Sequence, residues 1–371
     1  MDSSVEENEE EQNIFCNIIA AFKCYRKTAL ESVNRREAYV NSLPKNHQEM
    51  LTKYRELLQK LRCCIEANDN VIKHIVQDAD CLFYNDSDNL FQSSNLKPLT
   101  MPKVRPQDIQ KVQVTLKQIF RDWSIEGQSE RNQCYKPIID EITTVFSPLK
   151  CNVEDIKILV PGAGLGRLVY EIACRGYYCE GNEFSLFMLI ASNFVLNRCI
   201  VENQCTFYPW VHQYVNNLCR NNQIKSVTFP DVSPTKFPPK GTMNMVAGDF
   251  LQVYKDLNYW DCIATCFFID CANNIIEFVE LIYSILKPGG IWINLGPLLY
   301  HFSDIIHENS IEPTYEDIMI IVISCGFKIL KNRADVPSKY AQNPTSMHQS
   351  EYNSIYLVCE KPDSVPIEMK K

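Results

Sequence analysis

The glycine-rich turn at residues 162–166 constrains the fold of this chain more than any other stretch. A short apolar run, Ile156 to Val160, precedes the turn and is typical of a buried parallel strand. Apolar residues then recur at helical spacing from Leu168 to Ala173. A strand, a glycine turn and a helix begin a βαβ unit that binds an adenosine-bearing ligand. Glycine is needed there because a Cβ would block the close approach of a ligand to the backbone.

The spacing of the glycines indicates which kind of adenosine-bearing ligand the turn binds. A dinucleotide fingerprint reads G-x-G-x-x-G, which leaves room for a pyrophosphate. Here Gly162, Gly164 and Gly166 read G-x-G-x-G, which resembles the first motif of class I S-adenosylmethionine-dependent methyltransferases. The next predicted strand ends in Glu183, whose carboxylate is suited to accept hydrogen bonds from both ribose hydroxyls. The alternative is a helix-entry turn in an ordinary α/β core.

Composition excludes several classes of function. The chain has 371 residues, 46% of them hydrophobic, and a net charge of −8, so we expect a large core and no binding to nucleic acid. No apolar run is long enough to span a membrane, and the N-terminus lacks a signal peptide. The 17 cysteines form no C-x-x-C pair, so we expect reduced thiols and no metal site. We expect a cytoplasmic protein and leave nuclear residence open.

The order of patterns predicts the following domains. Residues 1–10 are acidic and predict a disordered tail, and residues 11–105 predict a helical region with a proline-broken linker. Residues 106–150 predict helices and a cofactor-covering loop that contains Gln128 and Arg131, two groups able to meet a ligand carboxylate. For that loop a solvated turn is an equally good interpretation. A methyltransferase domain at 151–360, a substrate-covering insertion at 201–242 and a tail at 361–371 complete the prediction.

Polar residues follow several predicted strands, at the sheet edge where open α/β sheets bind ligands. Asp249 is placed to accept from an adenine amino group, and Phe250 to stack on the ring. Asp270 ends another buried strand, and His301 follows the next one. For Asp270 the alternative is a helix N-cap, and for His301 it is a structural histidine bonded to backbone.

The C-terminal half predicts the fold class. A helix, the sequence Lys287-Pro-Gly-Gly290, a strand and a terminal strand pair follow one another, which is typical of methyltransferase sheets. We therefore predict an α/β fold of the class I methyltransferase type. It has a Rossmann-like, seven-stranded, mostly parallel sheet with a C-terminal antiparallel hairpin, preceded by an N-terminal helical region.

Several longer motifs resemble those of one family. They are Arg121-Asp-Trp-Ser-x-Glu-Gly-x-x-Glu-Arg131, Val160-Pro-Gly-Ala-Gly-Leu-Gly-Arg167, Gly181-Asn-Glu-Phe-Ser185, Phe207-Tyr-Pro-Trp-Val-His-Gln213, Phe229-Pro-Asp-Val232, Ala247-Gly-Asp-Phe250, Cys266-Phe-Phe-Ile-Asp270 and Asn294-Leu-Gly-Pro-Leu-Leu-Tyr-His-Phe302. Together they resemble the carnosine N-methyltransferase family, over residues 11 to 360. Several of these stretches are absent from general methyltransferases.

That resemblance implies methyl transfer from S-adenosyl-L-methionine to an imidazole nitrogen of carnosine, which gives anserine. It implies other histidine-containing di- and tripeptides as further acceptors. It implies a homodimer formed through the N-terminal helices. The implied cofactor-binding residues are Gln128, Arg131, Gly162, Glu183, Asp249, Phe250 and Cys266. The implied substrate-binding residues are Asp270, His301, Tyr340 and Tyr352, of which Asp270 and His301 are also catalytic.

These residue types suit an imidazole acceptor. A carboxylate that accepts one ring N–H leaves the other nitrogen with its lone pair free, and we assign this task to Asp270. His301 is suited to orient the ring or to relay the proton that is lost. Two alternatives stay open: methylation of a protein histidine or another small imidazole, and a non-catalytic scaffold.

Overall fold

The computed structural model describes residues 3–77, 79, 103–147 and 152–363, with side chains from residue 11 onward. Residues 80–102, most of the predicted linker at 80–106, and the end of the predicted C-terminal tail lie outside these residues. Among the helices in the described ranges, none is both long and apolar enough to cross a membrane.

The helices and strands have the following bounds. The α-helices are α1 (Ser3–Ser42), α2 (Lys45–Met50), α3 (Thr52–Val76), α4 (Pro106–Trp123), α5 (Gln128–Phe146), α6 (Arg167–Ala173), α7 (Leu186–Arg198), α8 (Arg220–Gln223), α9 (Phe250–Val253), α10 (Ile275–Ile285) and α11 (Tyr315–Ser324). The strands are β1 (Lys157–Pro161), β2 (Tyr178–Glu183), β3 (Cys205–Phe207), β4 (Val227–Phe229), β5 (Met243–Ala247), β6 (Trp260–Cys266), β7 (Leu286–Gly296), β8 (Lys328–Ser338) and β9 (Tyr352–Glu360).

The chain divides into two compact units. The sheet unit comprises Gly127–Ser185, Phe237–Tyr340 and Ser350–Lys371. The helical unit comprises Met1–Glu126, Leu186–Lys236 and Ala341–Gln349. These boundaries differ from the domains expected from sequence, because most of the insertion at 201–242 groups with the N-terminal helices and α5 groups with the sheet.

The sheet unit contains seven strands in the order β5-β2-β1-β6-β7-β9-β8. The first five are parallel, whereas β9 runs antiparallel to β7 and β8 antiparallel to β9. The predicted mostly parallel, Rossmann-like sheet with a C-terminal antiparallel hairpin is therefore confirmed. The chain leaves β1 for β2 on one side and later returns to place β6 on the other side. The C-terminal ends of β1 and β6 thus form the switch point at which such sheets bind ligands.

Both faces of the sheet are covered, which explains the continuous apolar runs of its strands. On one face, Ile158 and Val160 of β1 pack in a buried cluster with residues of α5 and α6. On the other face, Leu159 belongs to a second cluster with residues of α9, α10 and α11. Successive side chains of a strand point to opposite faces, so β1 contributes to both cores.

The helical unit has a core of its own. Phe15, Phe22 and Tyr25 of α1 are buried, as are Leu58 and Ile65 of α3. These residues recur at helical spacing and form the stripes that the sequence predicts. The antiparallel pair of β3 and β4 adds aromatic residues, with the Phe207 and Phe229 rings 5.1 Å apart and at 83°.

A polar network holds the insertion against the N-terminal helices. Asn68, which is fully buried, donates to the Tyr208 carbonyl at 3.0 Å and accepts from the Tyr208 N–H at 2.7 Å. Its amide also donates to the Tyr25 hydroxyl at 2.9 Å, and that hydroxyl lies 2.8 Å from Nε2 of His212. Burial, assisted by the positive charge of Lys117, lowers the pKa of His212 to about 4. The ring is therefore neutral in the folded protein at neutral pH.

Three local predictions need correction. Residues 121–131 were expected to form a loop, but the loop is shorter, since α4 continues to Trp123 and α5 begins at Gln128. Polar residues such as Glu130 are buried there, so hydrophobic periodicity did not reveal the helix. The stretch at 201–242 has no long helix, as its prolines predict, but it contains the short elements β3, α8 and β4. Helix α1 begins at Ser3, inside the predicted disordered tail, and glutamate has a high helix propensity.

We expect the fold to become less stable as the pH is lowered below about 6.5, because of His212. The unfolded side chain, with a pKa of about 6.5, binds a proton between pH 6.5 and 4, whereas the folded one does not. The stability associated with the neutral His212 ring is fully present above pH 6.5 and is lost as the pH falls from 6.5 to 4. At pH 5 the loss is about 2 kcal/mol in the free energy of unfolding.

Urea unfolding of His212→Gln at pH 7 and pH 5 tests this expectation. The variant should lose part of the stability difference between the two pH values, because glutamine does not titrate. His47→Gln, at an exposed position, is the matched control and should behave like the parent chain. An unchanged pH dependence in His212→Gln would show that other groups cause it.

Candidate active site

The turn after β1 is shaped so that only glycine fits at its first position. Gly162 has a φ of +67°, a conformation that side chains with a Cβ rarely adopt. A Cβ on Gly162 would lie 2.5 Å from Cδ2 of Phe268. Phe268 cannot easily move, since its buried ring stacks on Phe278 with centroids 4.9 Å apart. We call the turn at residues 162–166 the glycine cradle. A larger residue at position 162 would collide with the Phe268 ring.

Glu183 stands at the end of β2, beside this turn. One carboxylate oxygen accepts from the Gly164 N–H at 2.8 Å, and the other accepts from the Ser185 N–H at 2.7 Å. Burial raises the pKa of Glu183, and the two N–H donors oppose that shift. Each carboxylate oxygen has a second lone pair, so the group is able to accept two further hydrogen bonds from a diol.

Asp249 and Phe250 follow β5. The Asp249 carboxylate accepts from the Leu251 N–H at 2.7 Å and so caps α9. The Phe250 ring is 3% exposed and packs edge-on against Phe268 and Phe278, at 5.5 and 5.4 Å. The predicted stacking of this ring on an adenine does not agree with such packing, because aromatic neighbours already cover it. Phe250 is the first residue of α9, so its backbone N–H has no acceptor within that helix.

Gln128 and Arg131 lie in the first turn of α5, where Gln128 is exposed and Arg131 is buried. Residues three apart share one side of a helix, and the N-terminus of a helix favours an anion. The following turn binds the backbone of Lys339: the Gln133 side chain accepts the Lys339 N–H at 3.2 Å, and Cys134 Sγ lies 3.8 Å from the Lys339 carbonyl. The beginning of α5 is therefore tied to the segment that carries Tyr340.

Asp270 connects the segments that follow β6 and β7. Its side chain is buried, and Oδ2 accepts from the Leu299 N–H at 2.9 Å. The Asp270 carbonyl accepts from the His301 N–H at 3.1 Å. Burial raises the pKa of Asp270, while the Leu299 N–H and the positive form of His301 oppose that shift. The N-cap of α10 is Asn274, so the alternative role of Asp270 as a helix cap is excluded.

His301 is exposed and faces the Asp270 carboxylate. One of its ring nitrogens lies within 4.8 Å of an Asp270 oxygen. The residue before it, Tyr300, has a φ of +38° and donates from its hydroxyl to the Pro313 carbonyl at 2.5 Å. Such a backbone conformation is costly for a residue with a side chain and is found at functional sites. Here the buried Tyr300 fixes the direction in which the chain presents His301.

Phe267 brings the two predicted tyrosines together. Its ring lies 4.8 Å from that of Tyr340 and 6.0 Å from that of Tyr352. Phe267 directly follows Cys266 at the end of β6 and has a φ of +54°. Three residues further along the chain is Asp270, so the tyrosines are joined to the segment that carries the acid.

The structure thus groups the predicted residues in one unit, at one edge of its sheet. Gly162, Glu183 and Asp249 stand at the ends of β1, β2 and β5, and Asp270 with His301 follows β6 and β7. Sequence reasoning missed Phe267, although an aromatic residue directly after a buried strand was a usable signal. It also missed the Leu299 N–H, for which no signal exists because any residue supplies that group.

The family model that matches this chain and three of its relatives have the same description. The model of the family described as carnosine N-methyltransferase matches residues 98–363. The chain is 53% identical to "Carnosine N-methyltransferase unmet" of Drosophila melanogaster, over 97% of this chain and 82% of that protein. It is 46% identical to the carnosine N-methyltransferase of Mus musculus, over 95% and 87% of the two chains. For the Schizosaccharomyces pombe protein of the same name the identity is 36%, over 96% and 97%.

Similarity to solved structures is weaker. A chain from the complex between the Haloferax volcanii Trm112 methyltransferase activator and a putative methyltransferase is 12% identical, with a TM-score of 0.40. The match covers 67% of this chain and 94% of that chain. The fold assignment rests on the strand order described above and not on this similarity.

We expect Gly162→Ala to lower both stability and ligand affinity. The left-handed conformation costs an alanine about 1–2 kcal/mol, and the contact with Phe268 adds to that cost. Gly289→Ala is the matched control, since Gly289 has a φ of +74° but its Cβ would be 3.2 Å from a flexible Asp363 oxygen. Thermal unfolding and calorimetric titration with S-adenosylmethionine measure the two effects. Equal losses in both variants would show that the cradle has no special role.

Proposed function

The chain belongs to the carnosine N-methyltransferase family, and from this premise we propose that it methylates an imidazole nitrogen of carnosine to give anserine. It is an S-adenosylmethionine-dependent methyltransferase. The observation that carries the proposal is the pairing of the Asp270 carboxylate and the His301 ring within 4.8 Å, at strand ends next to the glycine cradle. Other histidine-containing di- and tripeptides are further proposed acceptors.

The residues around the cradle fit the cofactor. S-adenosylmethionine, when bound, supplies a methyl group that is already activated by a sulfonium. We assign the ribose hydroxyls to Glu183, whose two oxygens retain accepting capacity, and the methionine end to Gln128 and Arg131. We place Gly162 beneath the methionine end, in a turn where only glycine fits beside Phe268. Asp249, the backbone of Phe250 and Cys266 complete the proposed set.

Asp270 selects the tautomer of the acceptor. A neutral imidazole carries one N–H and one lone pair, and an acceptor with a pKa of about 6.5 is largely neutral near pH 7. When the Asp270 carboxylate accepts the ring N–H, the other nitrogen presents its lone pair. Because Oδ2 is held by the Leu299 N–H, the carboxylate cannot rotate freely, and the direction of the acceptor ring is fixed.

His301 is proposed to transfer the N–H proton of the methylated ring to solvent. The methylated ring must lose the N–H proton that Asp270 holds, and the exposed His301 ring lies close enough to pass that proton to solvent. Tyr340 and Tyr352 are proposed to flank the acceptor, and their contacts with Phe267 keep both rings near the end of β6. Positioning is thus the main contribution of the protein, since the donor is already reactive.

Two wider properties are part of the proposal. We propose a homodimer formed through the N-terminal helices, and residence in the cytoplasm with a share in the nucleus. Size-exclusion chromatography with light scattering tests the first property. Imaging of the tagged full-length chain tests the second.

We expect Asp270→Ala and His301→Ala each to lower anserine formation at least a hundredfold, because each removes a group that orients or deprotonates the acceptor. Calorimetry should show near-normal binding of S-adenosylmethionine in both variants. Asp256→Asn and His307→Ala are matched controls at exposed positions and should keep the parent rate.

Three outcomes contradict the proposal. Near-normal turnover by both variants would remove the proposed roles of Asp270 and His301. An enzyme that transfers label from S-adenosylmethionine to a protein in a cell lysate, but not to carnosine, would favour a protein-histidine methyltransferase instead. Failure of the parent chain to bind S-adenosylmethionine would favour a non-catalytic scaffold.

A further inference from the structure

We infer that Asp270, Cys271 and His301 form an inhibitory binding site for a zinc-type divalent cation. An Asp270 oxygen, the Cys271 sulfur and a His301 ring nitrogen all lie within 4.8 Å of one another. In the described part of the chain this is the one group of three such residues with that spacing. Carboxylate, thiolate and imidazole are the ligands that zinc prefers, and three of them with an open fourth position make a familiar site.

The geometry needs little adjustment to hold the ion. Zinc bonds of about 2.0–2.3 Å place pairs of tetrahedral ligand atoms roughly 3.3–3.8 Å apart. The present spacing of up to 4.8 Å is about 1 Å wider than that. Asp270 is fixed by the Leu299 N–H, whereas His301 is exposed, so the His301 ring has room to rotate toward the ion.

The local charge favours a dication. The Asp270 carboxylate, which lies within 4.8 Å of the Cys271 sulfur and of a His301 ring nitrogen, attracts a divalent cation. On binding, the Cys271 S–H gives its proton to solvent and a zinc–sulfur bond forms, with no change of oxidation state.

Occupation of this site blocks methyl transfer, a consequence that rests on the proposed function. Zinc takes up the Asp270 oxygen and the His301 nitrogen on which the acceptor imidazole depends. Inhibition should therefore be competitive with the acceptor. Cys271 has no part in the proposed reaction, so its removal separates metal binding from catalysis.

The test uses the full-length protein and two metals. Titration with Co²⁺ alone should give a near-ultraviolet thiolate band and visible bands of tetrahedral intensity. Cys271→Ser should lose the thiolate band, while Cys325→Ser, at another partly buried cysteine, should keep it. In turnover assays Cys271→Ser should keep the parent rate without metal and need about tenfold more free Zn²⁺ for half inhibition. Because imidazole peptides bind zinc themselves, free Zn²⁺ must be set with a metal buffer.

The outcomes are distinguishable. Identical cobalt spectra, or identical zinc inhibition, in the parent chain and Cys271→Ser would overturn the metal site and leave the proposed function intact. A parent chain without methyl transfer that still shows the Cys271-dependent cobalt band would keep the metal site and overturn the proposed function. An apparent KM for the acceptor that does not rise with Zn²⁺ would overturn the competitive inhibition.

Discussion

The hydrogen bond from the Leu299 N–H to the buried Asp270 carboxylate is the constraint on which the acceptor end of this site depends. It joins the segments that follow two neighbouring parallel strands, and the His301 N–H adds a second bond to the same residue. A buried carboxylate without such donors would be costly, and here the backbone compensates for that cost. The carboxylate that we propose to orient the acceptor is therefore held by main chain, which does not depend on the neighbouring side chains.

Much of the fold could be predicted because it follows from local patterns. The runs that became β1 and β6 are apolar and short, as buried strands must be, and α10 and α11 carry regular stripes. The start of α5 could not be predicted in the same way. Arg131 is buried as a polar residue, and no periodicity of apolar residues marks such a turn.

The site was predictable to the extent that it uses strand ends. Glu183 and Asp270 each end or follow a strand, and the C-terminal ends of parallel strands meet at one edge. Tyr340 and Tyr352 were named through resemblance, because the pairing of β8 with β9 that brings them to Phe267 has no short-range signal. For Phe250, the burial of the ring could not be predicted, since it depends on tertiary packing with Phe268 and Phe278.

The position of the antiparallel hairpin affects how related enzymes are able to differ in the peptide that they accept. Tyr340 and Tyr352 lie at the open end of β8 and β9, whereas the glycine cradle and Glu183 belong to β1 and β2 at the opposite part of the strand order. Substitutions at the two tyrosines alter the proposed acceptor side of the site and leave β1 and β2 unchanged. On the proposed assignment, related enzymes are able to change the accepted peptide at a single edge of the sheet, while the glycine turn and Glu183 stay the same.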